Sequence, residues 1–190
     1  IPAGRWMMRE VMGKCSEIRK VIPEFRVSIN ISQVQASKSD VIQDISGEMK
    51  RAGLPLEALI VELTESDLLE QNINEKHFLT ELKRMGISLA LDDFGTGYSN
   101  FHYLSELKPE IIKIDRSFTA KAVADEQEYY LQNQFCTMIH NLDMKICIEG
   151  IESAQEWLKI RKLRPEFTQG YFWGKPCGYE EFMTKFIERK

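Results

Sequence analysis

The sequence predicts an α/β protein of the TIM type, a (β/α)8 barrel of which this chain holds only part. Short apolar runs rich in β-branched residues alternate with segments of helical periodicity. Polar residues stand at or near the carboxyl ends of many of those runs, which is how a barrel builds its active face. A doubly wound sheet would gather its site at one switch point and commonly carries a G-x-G-x-x-G loop, which this sequence lacks.

Six apolar runs are typical of strands, where an eight-stranded barrel needs two more. The chain has 190 residues, below the ~250 typical of the fold. Because the chain starts at Ile1 within a predicted helix, we expect the first strands to be missing and the chain to be a piece of a longer protein. The six predicted strands are Phe25–Ile31, Leu59–Leu63, Ile87–Leu91, Ile111–Ile114, Lys145–Ile148 and Phe167–Trp173.

Helical periodicity fills the segments around these strands. It covers residues 8–18, 41–49 and 78–85, and a closing helix is predicted over Tyr179–Arg189. Gly53 and Gly86 stand where helices are expected to end. Ser153-x-x-Glu156 has the spacing of a capping box. Alternating strands and helices predict parallel strands joined by crossover helices.

Composition and charge exclude several functions. A hydrophobic content of 43% fits one soluble domain spanning residues 1–190. Lys plus Arg is 25 against 29 for Asp plus Glu, so a net charge of -4 offers no broad basic surface for duplex nucleic acid. No apolar run approaches the ~20 residues that span a bilayer, so we expect no membrane contact from this segment. The four cysteines and three histidines are scattered, which predicts a cytoplasmic protein with reduced thiols and no zinc site.

The pair Asp92–Asp93 is the most informative candidate site. It ends an apolar run and is followed by Gly95 and Gly97. Adjacent carboxylates repel one another, and a cation is the usual reason to hold them together in a partly buried place. The glycines supply the backbone freedom to fold the next loop over such a site.

Further polar residues stand at other strand ends. Each has a structural alternative: Asn30 suits a turn, Glu62 and Glu65 suit a helix start, and Glu149–Gly150 and Gln169 suit loops. Lys113 is harder to explain in this way, because a lysine between two isoleucines needs polar surroundings. Together the groups suit Mg²⁺ or Mn²⁺. Two such ions would support phosphodiester cleavage, with the lysine orienting water or neutralising charge.

At six places, in order, the sequence resembles the EAL domain family, the bacterial phosphodiesterases that open cyclic di-GMP to linear pGpG. The resemblance covers essentially the whole chain, and six ordered motifs are far more specific than any one of them. The similar segments are Ser28–Ser32, Glu62–Ser66, Asp92–Ser99, Lys113–Phe118, Glu149–Glu152 and Gln169–Tyr171.

The resemblance implies a role for each matched residue. Lys113 would help to activate water, and Gln169 would contact substrate or metal-bound solvent. Glu65 would anchor the loop after Asp93, which the family uses in metal positioning and dimerisation, and Glu152 would lie near the substrate. The implied ligands of a two-metal Mg²⁺ or Mn²⁺ site are Asn30, Glu62, Asp92, Asp93 and Glu149.

The resemblance also implies partners, namely cyclic di-GMP, a second copy of the chain in a homodimer, and GGDEF-type or sensory domains elsewhere in the protein. Two departures stand against it. The Glu-Ala-Leu motif, which holds a metal ligand, is missing and would precede Ile1, so the piece alone is expected to be inactive. Ile148 replaces a small alanine.

Two other functions remain open. One is a non-catalytic cyclic di-GMP receptor or regulatory module that acts through dimerisation. The other is an unrelated metal-dependent barrel such as an enolase-type lyase, which would explain the carboxylates but not the order of the motifs. Open strand edges predict self-association or strands supplied by a partner.

Overall fold

The computed structural model describes residues 2–37, 40–64, 73–95, 104 and 107–187. The chain divides into two compact units, one made of residues 1–63, 70–88 and 176–190 and the other of residues 64–69 and 89–175. In chain order the described elements are α1 (Pro2–Arg19), β1 (Val27–Asn30), α2 (Gln33–Ala36), α3 (Val41–Ala52), β2 (Leu59–Thr64), α4 (Ile73–Met85), β3 (Ser88–Phe94), β4 (Ile111–Ile114), α5 (Arg116–Ala124), α6 (Glu126–Asn141), β5 (Lys145–Ile148), α7 (Ala154–Ile160), β6 (Phe167–Thr168) and α8 (Tyr179–Phe182).

In the first unit, β1 pairs in parallel with β2, which sets Asn30 opposite Glu62. Helix α1 buries Met8 and Met12, and α3 buries Ile45 and Met49. These residues recur at helical spacing, so each helix presents one apolar face to a core.

An ion-pair ladder joins the polar sides of α1 and α3. Arg5 pairs with Asp44 at 2.6 Å and with Asp40 at 2.7 Å, and Arg9 pairs with Glu48 at 3.0 Å. The arginines are four residues apart, as are the carboxylates, so the ladder follows the helical repeat along both helices.

The second unit is built on β3, β4, β5 and β6, each parallel to the strand with which it pairs. All four residues of β4 are buried. Helices α5 and α6 pack against each other, and α6 also packs against β5. Asp115 and Asp125 cap the amino ends of these two helices by accepting backbone N–H bonds.

Strand β3 is irregular where its carboxylates lie. Leu91 is opposite Ile112 and Phe94 is opposite Ile114. Three residues of β3 therefore span the same length of the sheet as two residues of β4. Asp93 takes up the extra residue with φ 54°, in the left-handed region. The strand therefore carries a β-bulge, a feature that redirects side chains near functional sites.

Most predicted elements match the structure. β4 and β5 have the predicted bounds, and β1 is shorter than predicted. The capping box forms, with the Ser153 hydroxyl and the Glu156 carboxylate each 3.2 Å from the other residue's backbone N. Gly53 and Gly86 end their helices with φ values of 66° and 74°.

Larger differences from the prediction occur in β3, in β6 and in the closing helix. β3 extends beyond Leu91, so Asp92 and Asp93 lie within the strand. β6 ends at Thr168 instead of Trp173, because the chain turns and the Trp173 N–H donates to the Gly170 carbonyl at 3.1 Å. The closing helix is α-helical over Tyr179–Phe182 and becomes a π-helix over Met183–Ile187.

Two predictions about composition can also be compared with the structure. Across the described ranges, no helix combines the length and the apolar character that crossing a membrane requires. Three of the four cysteines, Cys15, Cys136 and Cys147, are buried.

Candidate active site

Lys113 lies at the centre of the candidate site in the second unit. It is only 8% exposed, although it carries an ammonium group. Its Nζ donates to Asp92 Oδ1 at 2.8 Å and lies 2.8 Å from Glu149 Oε1. The two carboxylates compensate the charge that burial in an apolar strand would otherwise leave unpaired. The structure thus brings together three residues that the sequence analysis places on separate strands.

Backbone pairing aligns these three residues. Lys113 is opposite Cys147 in the pairing of β4 with β5, so the end of β5 is level with the end of β4. The Glu149 N–H continues this pairing by donating to the Ile114 carbonyl at 3.1 Å. Glu149 is therefore held beside Lys113 by the same hydrogen-bond pattern that builds the sheet.

Asp93 follows Asp92 at the bulge, and its N–H donates to Asp92 Oδ1 at 3.1 Å. Partial burial raises the pKa of the Asp93 carboxyl, the charges of Asp92 and Asp115 raise it further, and Lys113 opposes them. Burial and the neighbouring carboxylates thus make the charged form of Asp93 unfavourable despite the nearby ammonium of Lys113.

Asp115, a further charged residue of this unit, is not among the predicted site residues. It accepts a hydrogen bond from the Ser117 N–H at 2.8 Å and another from the Ser117 hydroxyl. Burial alone would raise the pKa of Asp115, but these bonds and a backbone bond from Arg116 lower it. An aspartate two residues before a serine, at the start of a helix, is the signal that would have predicted this cap.

Gln169 and Glu152 lie on the loops that follow β6 and β5. The Gln169 N–H donates to the Ile148 carbonyl at 2.9 Å, and the Gln169 carbonyl accepts from the Ile151 N–H at 3.2 Å. Both predicted substrate-contacting side chains are exposed. The Glu152 N–H donates to Glu156 at 2.6 Å, so its backbone belongs to the cap of α7.

The first unit holds Asn30, the last residue of β1, and its register partner Glu62, which lies within β2. The Ile31 N–H donates to the Glu62 carbonyl at 3.0 Å and extends the pairing by one residue. Glu62 is 7% exposed, whereas Asn30 is exposed. Glu65, the predicted loop anchor, lies outside the described residues, as does most of the loop after Asp93.

The chemistry of these groups fits a hard divalent cation, because carboxylate and amide oxygens are the ligands that Mg²⁺ prefers. The raised pKa of Asp93 is consistent with a place where added positive charge is favourable. Among the residues that the structure describes, no three His, Cys, Asp or Glu side chains form a group that could hold a metal ion by themselves. Lys113 already neutralises part of the charge of Asp92 and Glu149.

Comparison with known proteins identifies relatives over nearly the whole chain. The family model of the EAL domain matches residues 1–176. The chain is 30% identical over 189 residues to the cyclic di-GMP phosphodiesterase NbdA of Pseudomonas aeruginosa, covering 95% of the chain and 24% of the relative. It is 26% identical over 188 residues to MucR of the same organism, a bifunctional diguanylate cyclase/cyclic di-GMP phosphodiesterase, covering 97% of the chain and 27% of MucR.

Solved structures agree with these relatives. The chain matches the EAL enzyme Bd1971, in its form bound to cAMP and cyclic di-GMP, with a TM-score of 0.93 and 28% identity. The match covers 100% of the chain and 52% of Bd1971. This similarity confirms the predicted fold class, an α/β fold of the TIM-barrel type. The chain spans about a quarter of the length of the curated relatives named above.

Proposed function

The chain belongs to the EAL domain family, and on that premise we propose that the protein containing it hydrolyses cyclic di-GMP to linear pGpG with Mg²⁺ or Mn²⁺. One observation carries the proposal: Lys113 is held 2.8 Å from both Asp92 and Glu149, three residues that match family motifs. The names of the relatives NbdA and MucR, each a cyclic di-GMP phosphodiesterase, support the same reaction.

We assign the metal ligands by matching the family motifs residue by residue. They are Asn30, Glu62, Asp92, Asp93 and Glu149. Bound Mg²⁺ or Mn²⁺ would lower the pKa of a water molecule and offset charge on the phosphate. The oxygen donors and the negative charge around Asp93 support this assignment.

Lys113 would act as a hydrogen-bond donor and a positive charge. Two carboxylates stabilise its ammonium form, so it is poorly suited to remove a proton. An ammonium held in this way can orient an attacking water and stabilise negative charge that develops on the phosphate. Its fixed position means that little reorganisation is needed during the reaction.

The other matched residues would act on the substrate and the loop. The exposed amide of Gln169 would contact substrate or solvent, and Glu152 would lie near the substrate. We keep Glu65 as the proposed anchor of the loop after Asp93 on its motif alone, since it lies outside the described residues. These assignments give Lys113, Glu65 and Gln169 the catalytic roles.

We also propose a cytoplasmic homodimer whose full-length protein carries GGDEF-type or sensory domains. The bifunctional name of MucR supports a cyclase partner domain, because that relative combines both activities and the chain covers only 27% of it. The GGDEF-type domain proposed here would synthesise the messenger that this domain removes.

The proposal is tested with the full-length protein, cyclic di-GMP and Mn²⁺ or Mg²⁺, with pGpG measured by chromatography. We expect product with metal, none with EDTA, and a loss of turnover in Glu149→Gln. Tight binding without product at high enzyme concentration would identify a receptor. Neither binding nor product, together with turnover of an acid sugar, would support the lyase alternative instead.

A further inference from the structure

Gly150, which directly follows Glu149, lies in close contact with the start of α5. A Cβ on Gly150 would be 2.4 Å from Cβ of Arg116 and 3.0 Å from its Cα. Gly150 also has φ 77°, where side chains are strained. The loop after β5 can therefore approach the chain after β4 this closely only because residue 150 has no side chain.

Gly170, which directly follows Gln169, makes the same kind of contact one strand further on. A Cβ on Gly170 would be 2.0 Å from the carbonyl oxygen of Ile151 and 2.4 Å from its nitrogen. Around it, the Ile151 N–H donates to the Gln169 carbonyl at 3.2 Å, and the Phe172 N–H donates to the Ile151 carbonyl at 3.0 Å. Backbone thus packs on backbone from the end of β4 to the end of β6.

We propose that Gly150 and Gly170 are positioning residues for the hydrolysis, an inference that rests on the proposed function. Each directly follows a candidate site residue, so the two contacts set where Glu149 and Gln169 stand relative to Lys113. Displacements of about 1 Å in such constellations reduce activity strongly. The 2.8 Å approach of Glu149 to Lys113 depends on a backbone distance that a methyl group at residue 150 would increase.

The test compares Gly150→Ala with Gly86→Ala in the full-length protein. Gly86 has φ 74°, and a Cβ there would meet nothing within 4 Å, so both variants suffer the same backbone strain and only one suffers the contact. We expect Gly150→Ala to lower kcat and Mn²⁺ affinity by about tenfold or more, as loss of supporting contacts does. Gly86→Ala should change each by less than about twofold. Equal effects, or wild-type values in Gly150→Ala, would overturn the proposal.

A second pair of variants keeps the test decisive if Gly150→Ala does not fold. Arg116→Ala keeps the Cβ that faces Gly150, and Arg116→Gly removes it, while both lose the guanidinium. We expect Arg116→Gly to bind Mn²⁺ more weakly than Arg116→Ala, because only Arg116→Gly loses the Cβ that faces Gly150. Identical Mn²⁺ affinities of the two single variants would contradict the proposal.

A crystal structure separates this inference from the proposed function. In Gly150→Ala the distance from Lys113 Nζ to Glu149 Oε1, 2.8 Å in the wild type, should exceed hydrogen-bond range, whereas in Gly86→Ala it should not. If the wild type does not hydrolyse cyclic di-GMP but this distance changes as expected, the proposed function fails and the positioning contact stands. An unchanged distance in an active enzyme would reject the positioning contact alone.

Discussion

Lys113 is a charged residue in a strand that is otherwise apolar and buried. It stands in a strand whose other members, Ile111, Ile112 and Ile114, are at most 5% exposed. Such a position tolerates an ammonium only when opposite charges are adjacent, and Asp92 and Glu149 provide them. Removing either the cation or a carboxylate therefore leaves charge that is shielded from water.

We predict that Lys113→Met destabilises the metal-free protein by roughly 1–3 kcal/mol, because Asp92 and Glu149 lose their shared partner. Turnover should fall by about a hundredfold or more. The matched control is Lys145→Met, which breaks the exposed pair with Glu110 at 3.0 Å and should change stability by less than about 1 kcal/mol. Urea unfolding at pH 7 measures the free energy of unfolding of both variants. Equal losses of stability would contradict the prediction for Lys113.

Asp93 gives stability a pH dependence of defined sign. Its folded pKa lies above the ordinary 3.8, so the folded chain binds this proton more tightly than the unfolded chain. Its contribution to the free energy of unfolding therefore falls as pH rises from 3.8 through the raised pKa. We expect metal-free Asp93→Asn to be more stable than the wild type at pH 7, with a difference that vanishes towards pH 3.8. Denaturant midpoints across this range test it, and a difference that grows on acidification would refute it.

At the scale of elements, the bulge in β3 places one residue, Asp93, in the left-handed backbone conformation. Asp93 has φ 54°, where aspartate is tolerated better than most residues and glycine best of all. Position 93 therefore needs a residue that tolerates the left-handed conformation and also carries a carboxylate. Substitutions can test these two requirements separately.

We expect Asp93→Ala to be less stable than Asp93→Gly by about 1 kcal/mol, although both remove the carboxylate, because alanine is strained in the left-handed region. The opposite order should hold at Gln134, exposed within α6, where glycine is worse than alanine by about 1 kcal/mol. Thermal unfolding of the four variants gives the comparison. The same order at both sites would mean that the bulge does not persist in solution.

The elements that sequence reasoning predicts best are those whose local signal and burial agree. β4 and β5 are short runs rich in isoleucine, and their bounds are correct. The composition of Tyr171, Phe172 and Trp173 predicts a longer β6, but the turn that begins at Gly170 leaves these residues exposed. Whether an aromatic run pairs or turns depends on distant neighbours, which local patterns do not reveal.

For the candidate site, too, local sequence patterns predict only part of the structure. The place of Asp92, Lys113 and Glu149 at predicted strand ends indicates that they lie close together, since parallel strands bring such ends together. Their common salt bridge depends on the register of β4 and β5, and the contact of Gly150 with Arg116 joins residues 34 positions apart. No spacing rule within the sequence predicts either of them.

At the scale of the whole molecule, strand pairing leaves open edges. Among the described strands, β1 pairs only with β2, and β6 pairs only with β5. Unpaired strand edges are sites at which chains join edge to edge. Next to one of them lies an exposed aromatic residue, Phe167, with 42% of its surface in solvent.

We predict that the 190-residue chain self-associates and that Phe167→Lys reduces the association, because a charge on an edge strand opposes pairing. Phe186→Lys is the control, since Phe186 is 46% exposed but lies in the π-helix near the carboxyl end. Light scattering over a range of concentrations measures the mass. A stable monomer, or an equal effect of both substitutions, would contradict the prediction.

The ammonium of Lys113 lets the chain assemble before any ion arrives, because a cation of its own already stands between Asp92 and Glu149. Loss of the ion would then stop turnover while leaving the polypeptide intact. On the proposed function, we expect a cell starved of magnesium or manganese to keep its stock of this protein and to resume messenger breakdown as soon as the ion returns, without new synthesis.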